Sequence, residues 1–178
     1  MKNRELLLLR HGKSDWSGDT DDYHRPLKER GRKGARRIGA WLQRQRLLPD
    51  HIITSPATRA LATARITAKA MGISEKQPHQ DQRIYEASLK DLLQVLGSCP
   101  DTARRVLLVG HNPGLEELLT FLASDPVPVP PDGKLLPTAT LARLAMPDHW
   151  QNLPAGCARL LTIQRARDLP ENVAFSGS

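Results

Sequence analysis

Aromatic side chains make up only 4% of this chain, with two tyrosines, two phenylalanines and three tryptophans among 178 residues. Such scarcity leaves the core to Leu, Ile, Val and Ala, and it argues against a nucleic-acid groove, which needs a series of stacking platforms. Cysteine is rarer still. Cys99 and Cys157 match no metal or redox spacing and read as reduced thiols. The apolar run that opens the chain, Leu6 to Leu9, stops at Arg10 and is too short for a signal-peptide core or a membrane span. A cytoplasmic protein without membrane association is the expectation. Acidic charge is also short, with 19 Asp and Glu against 26 Lys and Arg and a net charge of +7. That balance favours acidic or phosphorylated partners.

What is present alternates. A chain of 178 residues fits one domain and can bury roughly 70% of the surface its unfolded form exposes. Leu6 to Leu9, His51 to Thr54 and Val106 to Val109 are short apolar runs bounded by turn residues, the pattern of buried parallel strands. Between them lie helical periods: Ala35, Ile38, Trp41 and Leu42 from a start near Lys28; Ala57, Leu61, Ala64, Ala68 and Met71, closed by Gly72; Leu89, Leu92, Leu93 and Leu96; Leu115, Leu118, Leu119 and Leu122. Ser55 and Asn112 are placed to cap the helices that follow them, each with a proline next, and Ser88 with Asp91 forms a capping box. The first helix also carries a basic face, Arg32, Lys33, Arg36, Arg37 and Arg44, most simply a solvated one. Residues 125–137 hold five prolines and read as an exposed loop, with two further strands at 139–146 and 156–164. Strands alternating with helices predict an α/β fold with a largely parallel sheet.

Three of these strands end in corners that hold a basic or imidazole side chain: Arg10 with His11, Arg59, and His111. In a parallel sheet the corners share the carboxyl edge, where open α/β sheets bind ligands. Arginine forks and helix N-termini suit a tetrahedral dianion. His11 can then attack phosphorus if one ring nitrogen is unprotonated and the other N–H is held by an acceptor such as a backbone carbonyl. His111 is expected to be protonated beside the phosphoryl group. A zinc site on the two histidines competes poorly, because no third ligand is evident and the arginines repel a cation. His24, His51, His79 and His149 read as surface or structural residues.

Leu9-Arg10-His11-Gly12, Arg25-Pro26-Leu27 followed by Gly31, Ser55-Pro56-Ala57-x-Arg59-Ala60-x-x-Thr63-Ala64 and Gly110-His111-Asn112 resemble, in order, the motifs of the histidine phosphatase (phosphoglycerate-mutase-like) superfamily. The Lys13-Ser14-x-Trp16 continuation and the Gly-His-Asn-Pro-Gly corner are most similar to the SixA-type phosphohistidine phosphatase branch. The resemblance implies a three-layer α/β/α sandwich, no metal and no organic cofactor. It implies His11 as the transiently phosphorylated nucleophile, with Arg10, Arg59 and His111 binding the phosphoryl group and Ser14 as a further substrate contact. Glu86 stands where many members carry a general acid, although a charge favourable to the next helix explains it equally well. One domain over residues 1–169 and a flexible tail over 170–178 are expected. The substrate implied is phosphohistidine on a phosphotransfer-domain-like protein. A small phosphorylated metabolite, or a non-catalytic phosphate or nucleic-acid binding module, are the alternatives; a nucleic-acid partner is not expected.

Overall fold

The computed structural model describes residues 3–170; most of the tail expected at 170–178 lies outside them. Six strands form one sheet: β1 (Arg4–Arg10), β2 (His51–Thr54), β3 (His79–Gln80), β4 (Arg105–Gly110), β5 (Thr140–Met146) and β6 (Arg159–Arg165). Their order is β3-β2-β4-β1-β5-β6. Every pairing from β3 to β1 is parallel, and β5 alone runs against the rest. The sheet is therefore mostly parallel, as the alternating pattern predicts.

Four helices cover it: α1 (Glu29–Arg44), α2 (Thr58–Ala70), α3 (Leu89–Gly97) and α4 (Gly114–Leu122). Leu6 and Leu8 of β1 pack with Leu92, Leu96, Leu115 and Leu118 of α3 and α4. Leu7 and Leu9 pack with Ile38, Leu42, Ala64 and Ala68 of α1 and α2 on the opposite face. The alternation shows why β1 is apolar without interruption: successive side chains point to opposite faces, and both faces are covered. All four leucines are 0% exposed, and each such burial stabilises the fold by about 1.5–3 kcal/mol. The result is a three-layer α/β/α sandwich. Trp150, fully buried, donates its indole N–H to the Ala103 carbonyl at 2.9 Å.

Two helix starts differ from the sequence reading. Ser55 does not cap α2, which begins at Thr58 after an extended Ala57. The Ser55 hydroxyl instead accepts the Ala57 N–H at 3.2 Å, holding a turn between strand and helix. Likewise Asn112 does not cap α4. Its Nδ2 donates to the Leu136 carbonyl at 2.8 Å, and Pro113 takes the cap position without a side-chain cap bond. In both corners tertiary partners claim the side chain before the helix can. The Ser88 and Asp91 capping box forms as its spacing predicts.

Candidate active site

Strands β1, β4 and β2 are neighbours, and their registers bring Arg10 beside Gly110 and Thr54 beside Val109. The three predicted corners therefore meet at one edge. A cavity of about 440 Å³ opens there, and Arg10, His11, Arg59, Glu86 and His111 all line it. Ser14 does not. It is buried, and its hydroxyl accepts the Nε–H of the lining residue Arg25 at 3.0 Å.

His11 sits on the buried floor, 6% exposed. Its Nδ1 lies 2.7 Å from the Gly12 carbonyl. A carbonyl only accepts, so Nδ1 carries the proton and Nε2 keeps its lone pair. Burial, reinforced by the positive charges of His111, Arg59 and Arg10, pushes the imidazole down to about 3 against the bond to Gly12. At neutral pH the ring is uncharged. The corner itself is pinned to α2, since the Gly12 N–H donates to the Thr63 hydroxyl at 3.0 Å and that hydroxyl donates to the Arg59 carbonyl at 2.7 Å. Ala139, at φ 53°, donates its N–H to the carbonyls of Arg10 and His11 from the other side.

The His111 ring lies 5.2 Å from that of His11, and its Nε2 is 2.8 Å from the Ser55 hydroxyl. Burial and Arg59 push it down to about 4. In the ligand-free pocket His111 is therefore held neutral at pH 7, and the protonated form expected beside a phosphoryl group needs that group's negative charge. Its Nδ1, and Nε of both Arg10 and Arg59, are buried nitrogens without a hydrogen-bond partner. Unpaired buried polar groups are costly; a fourth in the same lining is the Asn112 Oδ1 acceptor, and the three nitrogens suit an anion. Burial lowers the Arg10 guanidinium from its ordinary value, and Glu116 offsets part of this.

Two lining residues with polar roles, Asp22 and Tyr85, were not singled out from the sequence. The Asp22 carboxylate accepts from Arg25 at 2.7 Å, from Arg59 at 3.0 Å and from the Tyr85 hydroxyl at 2.6 Å. These bonds, that of Tyr85 foremost, hold its carboxyl well below the usual carboxylate range, while Asp22 pushes Tyr85 up to about 12. Arg59 also donates to the Asp22 backbone carbonyl at 2.5 Å. The end of the Arg59 fork is thereby fixed on the connector between β1 and α1, and Arg25 is stacked 3.5 Å from the Trp16 ring centroid. The unusual length of that connector was the available sign that it serves the site. Leu136, at the end of the proline-rich loop, accepts from Arg10 at 3.1 Å as well as from Asn112. Glu86, at the exposed rim, adopts φ 53°, an unfavourable conformation for a residue with a side chain and one that collects at functional sites.

Among the described residues no three His, Cys, Asp or Glu side chains are grouped as a metal site would need, and no helix is long and apolar enough to cross a membrane.

A family model described as the histidine phosphatase superfamily (branch 1) matches residues 6–95. An uncharacterized protein of Mycobacterium tuberculosis is 31% identical over 157 residues, spanning 86% of this chain and 96% of its own. A 2,3-bisphosphoglycerate-dependent phosphoglycerate mutase of Clavibacter sepedonicus is 32% identical over 131 residues, 72% of this chain but 49% of the mutase. Among solved structures, a protein from Nakamurella multipartitia named as a candidate phosphohistidine phosphatase SixA superposes with a TM-score of 0.76 at 27% identity, over 93% of this chain and 97% of that one.

Proposed function

Because the chain belongs to the histidine phosphatase superfamily, we propose that it is a phosphatase that works through a covalent phosphohistidine on His11 and that its substrate is phosphohistidine on a partner protein. The observation that carries this reading is the Nδ1 bond of His11 to the Gly12 carbonyl at 2.7 Å. It leaves Nε2 as a free lone pair amid cationic and neutral donors, so the nucleophile needs no base.

In the first step Nε2 attacks phosphorus and the bond from phosphorus to the substrate nitrogen breaks. The electron pair of that bond stays on the leaving imidazole, which departs neutral when its other nitrogen already carries a proton. In the second step water attacks the phosphoryl group, the pair returns to Nε2 of His11, and the water proton leaves on phosphate. Arg10, Arg59 and His111 hold the equatorial oxygens, and such positioning with charge stabilisation supplies most of the catalysis of phosphoryl transfer. Where the other nitrogen of the substrate ring is unprotonated, Glu86 at the rim, in its acid form, gives its proton to the departing ring and regains one from the water of the second step, and Ser14 acts through Arg25. The name given to the Nakamurella multipartitia protein supports the choice of substrate, and so does the exposed rim formed by Asp22 and Glu86, which leaves room for a side chain presented on a folded protein.

The test is incubation with phosphorylated histidine phosphotransfer domains, beside a panel of small phosphomonoesters. Acid-labile phosphate should be trapped on the wild type and be missing from His11→Ala, whose turnover falls by at least a thousandfold, the usual order for removal of a covalent nucleophile. Full activity in His11→Ala ends the nucleophile assignment. Higher kcat/KM on small monoesters than on every phosphodomain shifts the substrate to a metabolite. Phosphate binding that survives His11→Ala, with no turnover by wild type, would leave only a binding module.

A further inference from the structure

Of the two tyrosines of the chain, Tyr85 lines the cavity and Tyr23 packs behind it, outside the lining. Tyr85 stands edge-on to His111 with ring centroids 5.7 Å apart, and Tyr23 meets Tyr85 edge-on at 5.0 Å. With His11 and His111 at 5.2 Å, four rings run in sequence from the buried floor to the half-buried rim. The outer part of this series is held rigidly. The Tyr85 hydroxyl is bound to Asp22, which Arg25 and Arg59 fix in turn, and the Tyr23 carbonyl accepts the Thr58 N–H at the start of α2 at 3.0 Å. A core cluster would not need such polar anchoring, and these two rings belong to neither of the hydrophobic clusters around the sheet.

In-line attack fixes where the leaving group emerges. His11 approaches from the floor, so the leaving nitrogen departs on the opposite side of phosphorus, toward the mouth. We propose that Tyr85, held by its hydroxyl bond to Asp22 and positioned by the Tyr23 ring packed edge-on against it, forms a leaving-group subsite that selects a planar nitrogen ring over a ringless amine or an alkoxide. The inference rests on the phosphatase reading and adds the residues that would set its specificity. Aromatic rings prefer offset or edge-to-face contacts with other rings, and a ring that still carries a proton gains further attraction to a tyrosine face. The reaction itself is unchanged: phosphorus exchanges the substrate nitrogen for Nε2 of His11, and the freed ring keeps the electron pair.

The discriminating quantity is the ratio of kcat/KM on phosphohistidine to kcat/KM on phosphoramidate, which shares the bond from phosphorus to nitrogen but has no ring. Tyr23→Leu should lower that ratio about three- to tenfold, the worth of one aromatic contact, and Tyr23→Trp should restore it. An unchanged ratio in Tyr23→Leu, whether both activities persist or both fall alike, overturns the subsite. A second measurement needs no variant. With tyrosine selectively labelled, the wild type loaded with vanadate should show saturable shifts of the Tyr85 ring signals on addition of imidazole and none with ammonium; no response to imidazole overturns the subsite as well. If the wild type turns over neither phosphohistidine nor phosphoramidate, the phosphohistidine reading falls and the subsite with it. Turnover of both with no change in ratio removes the subsite alone.

Discussion

His11 and His111 are buried as neutral rings, and this makes the site a source of pH sensitivity in the fold. An unfolded histidine takes up its proton near pH 6.5, whereas these two resist until about 3 and about 4. Between those values the unfolded chain binds more protons than the folded one, so stability falls as pH drops. Each ring contributes a loss of up to about 1.4 kcal/mol per pH unit across that window. His51, lowered by burial and by His79, adds to it with the same sign. Asp22 has its folded value depressed, so its contribution is present above the ordinary carboxylate range and is lost only at more acid pH. The interval from pH 6.5 to 4.5 therefore belongs to the histidines. Thermal unfolding should show Tm falling steadily over it in the wild type, and His111→Gln should flatten the fall. An equal slope in the variant would mean that His111 is not buried neutral. At this scale the sequence revealed His11, Arg10, Arg59 and His111 because each ends or follows an apolar strand. It did not reveal Asp22 or Tyr85, whose partners lie 37 and 63 residues away and are chosen by how a connector without periodic pattern docks.

At the scale of elements, the position of the nucleophile depends on how closely α1 approaches the end of β1. A Cβ on Gly31 would lie 2.3 Å from the Lys13 carbonyl oxygen and 2.8 Å from the Lys13 nitrogen, and one on Gly12 would lie 2.5 Å from the Gly31 carbonyl oxygen. These neighbours are backbone atoms of the catalytic corner itself and cannot rotate away. In Gly31→Ala the better helix propensity of alanine is worth about 1 kcal/mol. The overlap costs more, typically about 1–3 kcal/mol and upward where backbone must move. The variant should therefore be destabilised on balance, and its kcat should drop as the peptide carrying His11 shifts. Gly18→Ala, with nothing within 4 Å of the added methyl, should match the wild type in both chemical denaturation and turnover. The strands and helices themselves were legible from period alone, β1 and β4 most clearly, since a strand covered on both faces must be apolar throughout. The helix starts at Ser55 and Asn112 were misjudged for one shared reason. A capping residue at a strand end is also a polar group facing the pocket, and there the His111 ring and the Leu136 carbonyl outcompete the helix. The short edge strand β3 is only His79–Gln80, both exposed, and carries no apolar pattern to be read.

Over the whole molecule the charge is uneven in sign, +7 on 178 residues. The Lys33, Arg36 and Arg44 side chains of α1 remain exposed, and among the described residues Arg36 pairs with Glu29 at 3.0 Å. The basic face adds nothing evident to the core, and exposed pairs of this kind are worth little to stability. Its effect belongs to encounter. The net positive charge of the molecule, of which this face is a part, raises the arrival rate of an acidic phosphoprotein by roughly 10-fold or more, and salt removes the benefit as the Debye length shrinks from about 30 Å at 0.01 M to about 8 Å at 0.15 M. Chemistry on the buried floor is screened far less. For a phosphorylated domain of negative net charge, kcat/KM should accordingly fall about tenfold over that range of salt while kcat changes little, and Lys33→Glu combined with Arg44→Glu should lower the low-salt value toward the high-salt one. Phosphoramidate, small and without an extended acidic surface, should respond much less. A salt dependence of equal size for both substrates would place the effect inside the pocket, on Arg10 and Arg59, and would remove the helix face from substrate capture.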